Sequence, residues 1–186
     1  MAVLQKSKRS HDRILLPRCS AVPSASAFAP GGKIAGMNSP APSAPSAPSA
    51  SDQVRPAAGY AGDVAPELAC RWWQEGDAVL IDVRTDAERE WVGFVPGAVP
   101  AAWKQWPGMQ VNAEFDAAVR AAVPPGKKAV MMCRSGVRSI AAARRATELG
   151  VEAYNILEGF EGDADESGQR GRKGSWRLRG LPWRQT

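Results

Sequence analysis

Ala129-Val130-Met131-Met132-Cys133-Arg134-Ser135-Gly136-Val137-Arg138-Ser139-Ile140-Ala141-Ala142-Ala143 reads as a short apolar strand, a compact loop opening on cysteine, and an Ala-rich helix. That order puts Cys133 at the C-terminal end of a strand, the edge where open α/β sheets gather their ligands. A helix starting near Ser139 turns its free N–H groups and positive dipole end back over the loop, and Arg134 and Arg138 add charge. An anion at Cys133 is stabilised there, so Cys133 is a candidate thiolate nucleophile. Gly136 relieves strain where successive N–H groups turn inward, as in tight anion-binding loops. A buried cysteine that merely ends a strand is the simpler alternative, but it leaves two arginines and a glycine in one short loop without a purpose.

The rest of the chain narrows the chemistry. The only histidine, His11, lies in a polar N-terminal segment, so a Cys–His dyad finds no base in the folded part. A thiol without histidine has to be activated by its electrostatic surroundings. Outward from the loop, Ala78-Val79-Leu80-Ile81-Asp82-Val83-Arg84 is an apolar run of the buried parallel kind that ends in charge, on the same edge as Cys133. Asp63 to Trp73 places Pro66 and Glu67 in a helix's first turn, with Leu68 and Trp72 on one face and Gly76 as the stop. Asn112 caps a helix through about Val123 that Pro124-Pro125-Gly126 ends, the loop helix closes at Gly150, and Ala153 to Leu157 forms another strand. Strands alternating with helices predict an α/β fold, a mainly parallel sheet with helices on both faces.

At this point the motifs can be compared with known ones. Cys133-Arg134-Ser135-Gly136-Val137-Arg138-Ser139 resembles the active-site loop of rhodanese-type sulfurtransferases, in which the cysteine carries a persulfide surrounded by loop amides. Asp82-Val83-Arg84 with Glu88 downstream, and Gly93-Phe94-Val95-Pro96-Gly97-Ala98, resemble a second pair of family motifs, with Phe94 where the family usually has histidine. The resemblance runs from about Tyr60 to the C-terminus. It implies a rhodanese-like domain and a sulfurtransferase: Cys133 takes sulfur from thiosulfate or a similar donor and passes it to cyanide, a thiol or a protein acceptor. Arg134, Ser135, Gly136, Val137, Arg138 and Ser139 would bind the substrate, one of the arginines alternatively bracing the loop through Asp82 or Glu88. Asp82 and Arg84 read first as an ion pair locking a turn and second as pocket residues, and Glu88 as pocket or loop support. No cofactor and no metal site is expected.

Three other readings stand beside it. One is a binding or sulfur-delivery module with little free turnover. Another is a cysteine phosphatase, whose pattern needs five residues between Cys and Arg, whereas four separate Cys133 from Arg138. The last is an oxyanion reductase, for which only Cys70 could readily supply a resolving thiol; a small residue packed on a helix is the plainer reading of Cys70.

Composition sets the bounds. The 186 residues suffice for one domain and a tail: residues 1–58 as a disordered low-complexity segment, residues 59–186 as the rhodanese-like domain. Ala-Pro-Ser repeats from Pro40 to Ser51 cannot bury a core, and Met37 is an alternative start. The net charge is +5, but residues 1–50 hold six Lys/Arg against one acid, leaving 18 against 18 beyond. Nucleic acid is therefore not an expected partner. No run approaches the roughly 18 apolar residues of a membrane span. Cys19, Cys70 and Cys133 show no paired spacing, which predicts neither disulfide nor zinc site and favours a reducing, cytoplasmic setting. Trp103 to Pro107 is an aromatic stretch that reads more simply as core or interface than as a wall of the pocket, and no site is assigned there. Glu161 to Gly174 reads as an inserted charged loop, whose calcium-like Asp163-Ala164-Asp165 lacks the closing Glu, and Arg170, Arg172, Lys173, Arg177 and Arg179 read as a solvated basic face.

Overall fold

The computed structural model describes residues 50–185. The Ala-Pro-Ser repeats before residue 50 and the alternative start at Met37 lie outside them. In chain order the elements are β1 (Gly62–Val64), α1 (Pro66–Glu75), β2 (Ala78–Asp82), α2 (Asp86–Val92), β3 (Val99–Pro100), β4 (Lys104–Gln105), β5 (Gln110–Val111), α3 (Phe115–Ala122), β6 (Lys128–Met132), α4 (Arg138–Glu148) and β7 (Ala153–Ile156). The sheet has order β1-β7-β6-β2-β3 with every pairing parallel, and β4–β5 is a separate antiparallel hairpin.

The two central strands alternate across the sheet. Ile81 and Met131, register partners, face α3 and α4 together with Phe115, Val119, Ala142 and Ala146. Leu80 and Val130 face α1 and the C-terminal segment with Leu68, Phe160 and Trp176. Both faces are thus covered, as continuous apolar strands require. Burying a side chain such as Phe115, 1% exposed, stabilises the fold by about 2 kcal/mol.

Several elements depart from the sequence expectation. Gly62–Val64 is an edge strand that the sequence pattern did not announce, its Val64 buried in the cluster with Leu68 of α1, while α1 starts at Pro66 and stops at Gly76 as the sequence predicts. Asn112 acts ahead of α3, its Oδ1 accepting from the Glu114 N–H at 3.0 Å in a side-chain turn. The chain is engaged upstream of Tyr60 as well, where Arg55 and Asp63 exchange backbone hydrogen bonds. Cys70 is buried and disulfide-bonded, against the expectation of three unpaired thiols, so cysteine usage no longer argues for a reducing compartment. The C-terminal arginines are not a free solvated face: Arg177 stacks on Trp183 and Arg179 bridges Glu67 and Glu158. Among the described residues, no helix is long and apolar enough to cross a membrane.

Candidate active site

Cys133 follows the last residue of β6 and is 1% exposed, a free thiol at the C-terminal edge of the sheet. The loop after it is fixed from behind. The N–H of Phe160 donates to the Cys133 carbonyl at 2.8 Å, and those of Glu161 and Gly162 donate to the Arg134 carbonyl. With these carbonyls occupied on one side, the N–H groups of Arg134 through Ser139 donate to no protein acceptor among the described residues. They remain available to an anion beside the sulfur, and the N-terminus of α4 follows directly.

Two glycines allow this close approach. Gly136 has φ +82°, and a Cβ there would press on the Ile156 carbonyl and the Glu158 N–H. Gly159 has φ +61°, and its Cβ would lie 2.5 Å from the Cys133 oxygen and 2.7 Å from the Ser135 nitrogen. Gly159 therefore shapes the nucleophile loop from a distant position.

A cavity of about 680 Å³ opens over Cys133. One wall is the loop itself, including Arg134, Ser135, Val137 and Arg138; the opposite wall is α2, which contributes Glu88, Trp91 and Val92. None of the α2 residues is buried, so packing alone does not hold this helix. It is held by polar contacts. Thr85 and Glu88 form a capping box at its start, and Arg84 Nη2 donates to the Gly93 carbonyl at its end. Between them, Arg138 of the loop grips the Glu88 carboxylate through both terminal nitrogens.

Burial of the Glu88 carboxyl works to raise its pKa, but the hydrogen bonds and charge of Arg138 together with hydrogen bonds from Thr85 outweigh it and bring the group to about 2. Glu88 is thus anionic at neutral pH and cancels the charge of Arg138. Arg134 is exposed at the rim, and its guanidinium makes no hydrogen bond or ion pair among the described residues. It is the cation left for a ligand.

Asp82 and Arg84 do not line the cavity. Arg84 is fully buried, donating through Nε and Nη2 to Asp82 and lying 3.9 Å over the Phe160 ring. The pair locks the turn from β2 into α2.

Under the thiol runs a polar chain that sequence reasoning missed. Ser139 Oγ lies 3.2 Å from Cys133 Sγ and 2.6 Å from Asn155 Oδ1. Asn155 Nδ2 in turn donates to Asp63 Oδ1, which also accepts from the Tyr60 hydroxyl. Burial, then the hydrogen bond and charge of Asp63, push that tyrosine up to about 12. The signal was present: Asn155 is a polar residue in the middle of an otherwise apolar strand pattern. Trp103 packs edge-on against Phe115 in the core, while Trp106 lines the cavity.

The chain is similar to known proteins in sequence and fold. The family model described as Rhodanese-like domain matches residues 66–166. An uncharacterised protein of Rickettsia conorii is 33% identical over 112 residues, 58% of this chain and 83% of its own length. A counterpart in Rickettsia prowazekii is 31% identical over 110 residues, with the same shares of the two chains. The crystal structure of Rv0390 from M. tuberculosis superposes with TM-score 0.62 at 43% identity, covering 68% of this chain and 99% of that one.

Proposed function

Because the chain belongs to the rhodanese-like domain family, we propose that it is a sulfurtransferase working through a persulfide on Cys133. The Cys133 thiolate attacks the outer sulfur of thiosulfate or a related donor. The donor's S–S bond breaks, its electron pair leaves with sulfite, and sulfur stays on Cys133 as a persulfide. A thiol or cyanide acceptor then attacks the terminal sulfur and releases the thiolate, two half-reactions joined by a covalent intermediate.

The observation that carries this reading is the free thiol at the strand end facing a loop whose N–H groups from Arg134 to Ser139 have no protein acceptor among the described residues. Such donors stabilise an anionic persulfide without reorganising during the reaction. Among the described residues reductase chemistry has no second free thiol, because Cys70 is disulfide-bonded and packs in the core on the α1 side of the sheet, whereas Cys133 belongs to the α3 and α4 side.

Intact-protein mass spectrometry after incubation with thiosulfate tests the proposal. The expected result is a gain of one sulfur that requires Cys133, is absent from Cys133→Ser, and disappears when cyanide or a thiol is added. No gain from any sulfane donor, or an equal gain in Cys133→Ser, overturns it.

A further inference from the structure

The cavity is larger and more apolar than thiosulfate needs. At about 680 Å³ it falls in the range of about 300–1,000 Å³ typical of sites for drug-sized organic ligands, whereas thiosulfate has only a few heavy atoms. Six large hydrophobic side chains are strongly exposed among the described residues, and three of them, Trp91 at 77%, Trp106 at 70% and Val137 at 67%, converge on this one cavity. Scattered exposed hydrophobics need no explanation, but three around one opening mark a binding site. Met109, which also lines the cavity, adds a polarisable side chain suited to aromatic contact.

The charges point the same way. Arg138 is neutralised by Glu88 in a bidentate pair, leaving Arg134 as the one uncompensated cation among the lining residues. A dianion meets a single free positive charge here; a monoanion with an apolar body is matched in both charge and surface.

We infer that the site takes an organic sulfur compound with one anionic reacting group and a ring-sized apolar body, seated between Trp91 and Trp106 with its sulfur at Cys133. This rests on the sulfurtransferase reading. For an organic thiosulfonate, the Cys133 thiolate attacks the outer sulfur, the S–S bond to the sulfonyl group breaks, and the electron pair leaves with the sulfinate. The persulfide formed is the same as with thiosulfate, and no oxidant or reductant is consumed.

The experiment compares benzenethiosulfonate with methanethiosulfonate, which carry the same reacting group and charge and differ in the ring, with thiosulfate alongside. The readout is the ratio of kcat/KM for the benzene donor to that for the methane donor. Burying a ring is worth roughly a tenfold or greater preference. The ratio is expected to fall by about tenfold in Trp91→Ala/Trp106→Ala and to recover in Trp91→Phe/Trp106→Phe. Both tryptophans are highly exposed, so folding is not at risk. A wild-type ratio no greater than that of a free small thiol reacting with the same donors overturns the inference. So does a ratio unchanged in the alanine variant, which assigns the tryptophans to a protein-docking surface. If thiosulfate loads Cys133 while either result is found, only this inference falls; if no donor loads it, the sulfurtransferase reading falls first.

Discussion

Arg138 holds Glu88 across 50 positions of sequence through two parallel hydrogen bonds, Nη1 to Oε2 at 2.9 Å and Nη2 to Oε1. The pair ties the nucleophile loop to α2, a helix that buries none of its own residues, and so closes the two walls of the cavity on each other.

This pair makes the fold acid-sensitive. The folded Glu88 pKa of about 2 lies below its ordinary value of 4.5, so its contribution is complete above about pH 4.5 and is lost as pH falls through about 2. The full contribution is about 3 kcal/mol. Urea unfolding at pH 7 and pH 3 is expected to show a smaller acid loss in Glu88→Gln than in wild type. An equal loss in the two proteins would show that the pair contributes nothing.

The two loop arginines separate by role. Arg134 is exposed and uncommitted, so Arg134→Ala should raise KM for thiosulfate by roughly tenfold, one charge contact's worth, and leave the urea midpoint unchanged. Arg138→Ala strands a half-buried carboxylate and should cost about 2 kcal/mol of stability together with activity. Steady-state kinetics beside urea titration distinguish them, and a reversed pattern would exchange the roles.

Ser139 has one proton and two neighbours. The Asn155 amide is oriented by its donation to Asp63, which turns Oδ1 toward the Ser139 hydroxyl. Ser139→Ala leaves this buried oxygen without a donor, at a cost of about 1–3 kcal/mol, and removes the hydroxyl beside Cys133 Sγ. Slower sulfur loading and a lower urea midpoint are expected, with Ser139→Thr restoring both. Loading at the wild-type rate in Ser139→Ala would limit Ser139 to a packing role.

Gly159→Ala should be far worse than Gly150→Ala, although both glycines have positive φ. At Gly150 a Cβ meets nothing within 4 Å, so the cost is the left-handed backbone's alone, about 1–2 kcal/mol. At Gly159 the Cβ collides with backbone atoms of Cys133, Arg134 and Ser135, which cannot move without deforming the loop. Thermal unfolding and sulfur loading should both fall sharply in Gly159→Ala. Comparable melting temperatures in the two variants would count against the close approach.

The sequence by itself determined the sheet core and the position of the nucleophile. The runs of β2, β6 and β7 are apolar enough to be buried on both faces, and Cys133 follows one of them directly, so local order alone puts the thiol at the sheet's C-terminal edge. Loop composition and spacing likewise carried the family. Tertiary structure decided what faces that thiol. β1 is too short for its own pattern to announce it, and α2 has no buried stripe, because polar contacts from Arg138 and Arg84 hold it in place of a core face. The cavity's tryptophans come from α2 and the segment between β4 and β5, which approach Cys133 only when the sheet brings its neighbouring strands together. Which arginine is neutralised and which stays free also depends on partners 50 residues apart, and a side-chain charge pairing at that range is fixed by the fold alone.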